Sequence, residues 1–215
     1  MPKTPSAEQP LAGVKIVELS TMVTCSLAAM TLRSQGAQVI KVEPVRGGDP
    51  MRKLGSQKNG TSALFHNCNR GKRSLAINLK HDMGVAAVKR LAAGADVVLN
   101  NYRPGVMTQL GLGSDTLRAL NSRLINVAVT GFGTRGPLRD RPAYDHVIQG
   151  IAGITGLQGG DDEFAFVRML MCDKVTAYTT AQAVTAALLA RHSTGQGQHI
   201  DISMLHACLA FMWPD

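Results

Sequence analysis

The chain has 215 residues, 45% of them hydrophobic, with a mean hydropathy of +0.02; that is enough apolar material for one large core or two small ones, and it excludes a disordered or fibrous chain. Its 23 Lys and Arg exceed its 15 Asp and Glu by 8, giving a sequence pI near 9.6, a balance that suits an anionic partner. Aromatic residues at 4% and the absence of a basic stripe on any predicted helix argue against nucleic acid; a phosphate-bearing small molecule fits better, or charge that serves solubility alone.

Residues 1–10 (MPKTPSAEQP) carry three prolines and no apolar run, so they read as a loose N-terminal arm and not as a targeting segment. VKIVEL (14–19) is a predicted strand, residues 21–35 a helix stopped by Gly36, and AQVIKVE (37–43) a second strand. SLAINL (74–79) adds another. Asp82 is placed to cap a helix bearing Val85, Val88 and Leu91, Gly94 ends it, and ADVVLN begins the next strand. Ser114 is placed to cap a short helix closed by Asn121, followed by the strand LINVAVT. Strands alternating with helices of this length imply parallel pairing through right-handed crossovers, hence a doubly wound α/β fold with helices on both faces. The most apolar later stretch, 183–190, is too short to span a bilayer, so a soluble, cytoplasmic protein without a membrane partner is expected. Cys25, Cys68, Cys172 and Cys208 have no CxxC or zinc-like spacing; free, buried thiols are expected, with no disulfide framework and no metal.

Gly131, Gly133 and Gly136 (GFGTRG) satisfy GxGxxG directly after a strand. A dinucleotide fingerprint must open a helix whose N-terminus holds the pyrophosphate. Here the glycines run into PLRDRP, where Pro137 and Pro142 stop any helix. The motif predicts a loop at the carboxyl edge of the sheet.

The stretch 166–204 reads as a short apolar strand (167–171), Asp173 at a hinge, a long Ala-, Thr- and Leu-rich helix from 175 to 191, a Gly-punctuated turn and a last strand, GQHIDIS (197–203). Asp173 has two compatible readings. One is an N-cap, accepting from the unpaired N–H groups of the first turn. The other is a nucleophile or base at the rim of the sheet, where α/β proteins place their chemistry.

The series LAGVKIVELS, GAQVIKVEP with GGDPMR, NRGKRSLAINLK, ADVVLNNYRPGV with LGLG, LINVAVTGFGTRGP, RPAYDHVIQGIAGI and TGQGQHIDIS resembles the family III CoA-transferases of the CaiB/BaiF type. Formyl-CoA transferase, the carnitine CoA-transferases and α-methylacyl-CoA racemase belong to that family. The resemblance runs in order from about Leu11 to the end. It implies a Rossmann-like, CoA-binding large domain over residues 11–215, with coenzyme A held by loops after the early strands. The matching positions are Lys41 and Arg46, then Asn69, Lys72 and Arg73, then Asn101, Tyr102 and Arg103, with Tyr144 and Asp145 of RPAYDH. Arginine can fork across two phosphate oxygens, which suits such a cofactor.

The resemblance also implies that Asp173 is the nucleophile of CoA transfer from an acyl-CoA donor to a carboxylic acid acceptor, by way of a mixed anhydride and an aspartyl-CoA thioester, with no metal. The racemase branch pairs the same aspartate with a histidine just before the aspartate of the preceding loop. Here that position is Tyr144, and His146 follows Asp145. A phenol with an ordinary pKa near 10 is a poor base at neutral pH, so transfer is expected over racemisation. The alternatives are racemase-type acid/base chemistry and a CoA-binding fragment without catalysis. The family's smaller second domain, with its glycine-rich loop, has no counterpart in these residues, and the family's interlocked dimer implies a partner: a second copy, or another chain supplying the remaining half.

Overall fold

A computed structural model describes residues 9–160 and 163–213; most of the expected N-terminal arm, residues 1–8, lies outside the described residues. In chain order the elements are β1 (Lys15–Leu19), α1 (Val23–Ser34), β2 (Gln38–Glu43), a 3₁₀ turn (Pro50–Lys53), β3 (Gln57–Lys58), β4 (Thr61–Ser62), α2 (Ala63–Asn69), β5 (Arg73–Ala76) and α3 (Asp82–Ala93). There follow β6 (Val97–Asn100), α4 (Val106–Gln109), α5 (Ser114–Leu120), β7 (Ile125–Thr130), α6 (Asp145–Ile151), α7 (Ile154–Gly159), α8 (Met171–Thr194), β8 (His199–Ser203) and α9 (Met204–Met212).

Six strands form one all-parallel sheet in the order β5-β2-β1-β6-β7-β8, while β3 and β4 make a small antiparallel hairpin. Parallel strands buried on both faces read as continuous apolar runs, and β6 (VVLN) is buried along its whole length. On one face α1 and α8 bring Cys25, Ala28, Ala29, Leu32, Ala177, Ala181 and Val184 onto Ile16, Val97, Ile125 and Val127. The small residues let both helices pack closely on each other and on the sheet. On the other face α3 and α5 bring Val88, Ala92 and Leu117 onto Val17, Val42 and Val98. Each fully buried side chain of this size contributes about 1.5–3 kcal/mol. From β1 the chain winds outward to β2 and β5, then returns to β6 on the other side of β1. The order therefore reverses between β1 and β6, where an open sheet leaves a crevice at its carboxyl edge.

Four local expectations are corrected. Residues 167–171 are not a strand: the N–H of Val167 donates to the Gln149 side chain (2.9 Å) instead of to a neighbouring strand, and α8 already begins at Met171. Asp173 is consequently the third residue of α8 and not its cap. At α3 the cap is His81, whose Nδ1 accepts from the N–H of Met83 (3.2 Å), with Asp82 in the first turn; at α5 it is Gly113, with Ser114 inside the helix. Gly94 and Asn121 close their helices as expected. In the turn from α8 to β8, a Cβ on Gly197 would overlap the carbonyl of Leu124, so the glycine of TGQG is required by a close backbone approach.

Candidate functional site

A cleft of about 280 Å³ opens at the carboxyl edge, over the ends of β1, β6 and β7. Thr21, Met22 and Thr24 enter it from the β1–α1 connection, Asn101, Tyr102, Arg103 and Pro104 from the segment after β6, and Arg139, Arg141 and Tyr144 from the segment after β7; Asp173 joins them from α8. Of the residues expected at the site, Asn101, Tyr102, Arg103, Tyr144 and Asp173 are thus brought together. The glycine-rich loop behaves as its prolines require, since no helix follows before α6. A Cβ on Gly131 would overlap that of Ala143, so this glycine lets the two arms of the loop close against each other beside the cleft.

Asp173 is half-buried and, among the described residues, is the one carboxylate lining the cleft. Its burial, and secondly the nearby charge of Asp145, push its carboxyl up from 3.8 to about 7. Asp145 itself is buried beneath the cleft. Its Oδ2 accepts from the backbone N–H of Asp173 (2.9 Å) and its Oδ1 from Gln149 Nε2 (2.6 Å). Asp145 therefore caps α8 from outside that helix, satisfying one of its unpaired N–H groups. Gln149 also accepts from Val167 and donates to the carbonyls of Val167 and Met169 (3.3 Å each). Together these two side chains hold the segment that delivers Asp173. Asp145→Asn is expected to lower the ionisation midpoint of Asp173 while leaving it above 3.8, because burial remains; a carboxyl-carbon NMR titration reads both limits.

The β1–α1 connection is held just as closely. Met22 has φ 62°, a left-handed backbone that costs a non-glycine residue energy. Its N–H donates to Asp49 Oδ1 (3.2 Å). Next to it, Asn101 accepts from the N–H of Thr21 (3.1 Å) and donates to the Thr21 carbonyl (2.7 Å), extending the β1–β6 pairing beyond the strand ends. Asn101 thus fixes this wall of the cleft through both ends of its carboxamide. The first turn of α1, whose cap residue Met22 contributes no side-chain hydrogen bond, begins at the cleft and favours a negative charge there.

Lys41 and Lys72 lie elsewhere than a phosphate ligand should. Lys41 is 1% exposed and contacts Glu18 Oε1 (2.7 Å), Asp49 Oδ2 (3.0 Å), the Ser20 carbonyl (3.0 Å) and Ser26 Oγ (2.9 Å). Lys72 donates to Glu18 Oε2 (2.6 Å), the Ser26 carbonyl (2.8 Å) and Asn69 Oδ1 (2.9 Å). An ammonium has three donors, and both lysines have used theirs. Asn69 is buried in the same cluster. These three are corrected from cofactor ligands to an internal network that braces the loops. Arg73 is corrected too: it opens β5 and so stands at the amino edge of the sheet, away from the cleft.

Arg46 lies in a second, larger cleft of about 670 Å³ over the ends of β2 and β5. Its walls include Val42, Val45, Ile77 and Leu79, and Lys80 adds a second cation. Tyr102 lines both clefts, which therefore adjoin at this side chain. Lys80, Arg139 and Arg141 were not among the sequence-derived candidates. The signal for Arg139 and Arg141 is PLRDRP, two arginines in the connection that follows β7, whereas Lys80 ends the segment NRGKRSLAINLK. His146 is exposed and stacks edge-on against Phe166 (centroids 5.4 Å apart), and it does not line the cleft. Among the described residues no cluster of side chains suited to a metal ion occurs, and no helix is long and apolar enough to cross a membrane.

Residues 11–215 match the family described as CoA-transferase family III. The chain is 36% identical over 213 residues to a succinate–glutarate CoA-transferase of Agrobacterium fabrum, covering 95% of this chain and 53% of the relative. It is 37% identical over 199 residues to the beta subunit of a succinyl-CoA–L-malate CoA-transferase of Chloroflexus aurantiacus, covering 91% of this chain and 49% of the relative. The crystal structure of a CaiB/BaiF family protein from Brucella suis superposes with a TM-score of 0.90 at 38% identity, over 94% of this chain and 55% of that one. The chain spans about half the length of the curated relatives it matches.

Proposed function

The chain belongs to CoA-transferase family III, and from that premise we propose that it carries the CoA-binding and nucleophilic half of an enzyme that moves CoA from an acyl-CoA donor to a carboxylic acid. The observation that carries this reading is Asp173: a half-buried carboxyl at the start of a 24-residue helix, in a cleft at the switch point of the sheet, lined among the described residues by no other acid and no histidine.

In the proposed reaction an oxygen of the ionised Asp173 attacks the thioester carbonyl. The C–S bond breaks, and CoA leaves as the thiolate from a mixed anhydride. The thiolate then attacks the aspartyl carbonyl, releasing the donor acid as its carboxylate and leaving an aspartyl-CoA thioester. The acceptor carboxylate attacks that thioester in turn, and the thiolate returns to the acceptor's acyl carbon, freeing Asp173. No proton or electron is gained or lost over the cycle. The first turns of α1 and α8 favour the negative charge that develops in each attack. With no second carboxylate and no histidine lining the cleft among the described residues, and with Tyr102 and Tyr144 poor bases at neutral pH, exchange fits the site better than racemisation.

For coenzyme A, the larger cleft suits the adenosine and phosphate end: its walls are largely apolar, Arg46 and Lys80 supply positive charge, and the Glu43 carboxylate in its lining is already paired with Arg52. Tyr102 then leads towards Asp173. The apolar groove between α8 and α9, where Tyr178 is 60% and Phe211 55% exposed, is the surface we assign to a second copy or to the complementary half of the enzyme.

Mass spectrometry after incubation with succinyl-CoA or glutaryl-CoA, with hydroxylamine trapping, tests the reading. An acyl- or CoA-derived adduct on Asp173, absent from Asp173→Ala, is expected. Binding of CoA without any adduct would reduce the chain to a cofactor-binding portion.

A further inference from the structure

At the opposite, amino edge of the sheet a further cleft of about 780 Å³ lies between the starts of β1, β2 and β5 and the closing turns of α1 and α3. Lys15, Arg33, Arg73 and Arg90 line it, and among the described residues no carboxylate and no aromatic side chain does. None of the four forms an ion pair with a described residue. Asp96, which follows the lining residue Ala95, is engaged elsewhere: it accepts from the backbone N–H of Lys15 (2.8 Å) and pairs with Arg191 (2.8 Å). Part of this charge serves the fold. Arg33 and Arg90 stand in the last turns of α1 and α3, where each helix end carries roughly half a negative charge. Two such ends offset about one of the four cations. Lys15 and Arg73 open strands and have no helix end to offset. Like charges gathered around one concavity repel, and an anion seated among them removes that repulsion.

Arg33 is also held in place. Its Nε donates to the Gly71 carbonyl (2.9 Å), and a Cβ on Gly71 would come within 3.3 Å of that nitrogen. This contact orients the guanidinium and leaves its two terminal nitrogens for a ligand. We propose that the amino-edge cleft binds a polyphosphate group, of two or more linked phosphates, as a second ligand site separate from the one at Asp173. A linked chain of phosphates can meet cations presented from β1, α1, β5 and α3, whereas one phosphate reaches only some of them; the forked guanidinium matches phosphate oxygens. Nucleic acid fits less well, because stacked bases find no aromatic platform. The five residues of β1 put about 16 Å between the two edges of the sheet. A ligand here therefore takes no part in chemistry at Asp173, and the inference stands or falls independently of the CoA-transferase reading.

Calorimetric titration of the 215-residue chain with tripolyphosphate, inorganic phosphate and ATP tests the assignment. Tripolyphosphate should bind about 10-fold or more tightly than phosphate. Arg33→Gln and Arg73→Gln should each weaken it about 10-fold, the size expected for one charge-assisted contact. Arg73 is exposed, so its variant keeps the fold even if loss of the Gly71 contact unsettles Arg33→Gln. Two controls carry the same charge change: Arg46→Gln at the carboxyl edge and Lys58→Gln on the exposed β3 should each alter the affinity by less than about 2-fold. ATP separates the sources of the group. Tighter binding than tripolyphosphate identifies a nucleotide, its adenosine against Ile40 and Leu91; equal or weaker binding identifies an inorganic chain. Absence of tripolyphosphate binding overturns the proposal. So does a loss on Lys58→Gln as large as that on Arg73→Gln, which would mark diffuse attraction to a basic surface, or a loss on Arg46→Gln alone, which would move the phosphates to the carboxyl edge.

Discussion

Asp173→Asn is expected to raise stability and abolish acyl transfer together. A carboxyl that ionises near 7 in the folded protein, but near 3.8 in the unfolded chain, binds its proton more tightly when folded. Between those values the native state holds more proton than the unfolded state, so stability falls as pH rises through the window and is level above about 7. The gross penalty at pH 8 is on the order of 4 kcal/mol. Half-exposure and partial hydration of the side chain reduce it to about 1–3 kcal/mol. Asn cannot ionise, so the variant should recover that amount above pH 7 and nothing below about pH 4, with about 2–4 °C in Tm for each kcal/mol in a domain of this size. Thermal melts of both proteins at pH 4, 6 and 8 read this directly. A variant that is less stable at pH 8 would show that Asp173 is a structural cap after all. The same ionisation should govern the proposed chemistry: adduct formation in wild type should rise with pH around an inflection near 7, because the attack proposed for Asp173 needs its carboxylate.

The frame that places Asp173 was legible because parallel strands announce themselves as apolar runs. VKIVEL, AQVIKVE, ADVVLN and LINVAVT each became a strand of the sheet, and the alternation with helices carried the crossover topology with it. The run VRMLM (167–171) misleads for the same reason. Its composition suits a strand, but the neighbouring edge is occupied by β8, and its backbone is held by Gln149 instead. Local pattern does not reveal whether an edge is available.

The roles of the charged residues are the least legible in the sequence. A lysine in a motif near a predicted phosphate site looks the same whether it points outward or into the protein. Lys41 and Lys72 are internal because Glu18 and Asp49 lie beneath them, a pairing across 23 and 54 residues of sequence in the case of Glu18 that spacing cannot show. Arg139 and Arg141 presented the reverse case: their loop reads as a connection between elements, and only the folding of β7 beside β6 brings it over Asp173.

Glu18→Gln should show what that hidden network contributes. Burial pushes the Glu18 carboxyl up, but Lys72 and Lys41 overcome it and hold the group below its ordinary value. Neutralising it strands two buried ammonium groups: Lys41 keeps Asp49, whereas Lys72 is left with the Ser26 carbonyl and Asn69 Oδ1 and no counter-charge. Breaking a buried pair by removing one partner costs about 3–5 kcal/mol, and equilibrium unfolding in urea is expected to show a loss of that size. Adding Lys72→Met to Glu18→Gln should restore part of it, since the charge stranded by the first change is then gone. A double variant no more stable than Glu18→Gln alone would mean that packing, and not charge, holds these loops. In wild type the depressed carboxyls of Glu18 and of Glu43, the latter carried down to about 2 against its burial by Arg52, the Asp49 N–H and Ser74, contribute stability above pH 4.5 that disappears as pH falls through their folded values. The network also reaches function. Lys41 holds the Ser20 carbonyl and pairs with Asp49, and Asp49 in turn holds the strained N–H of Met22. Loosening it should therefore widen the cleft wall opposite Asp173 and weaken CoA binding even at temperatures where Glu18→Gln is still folded.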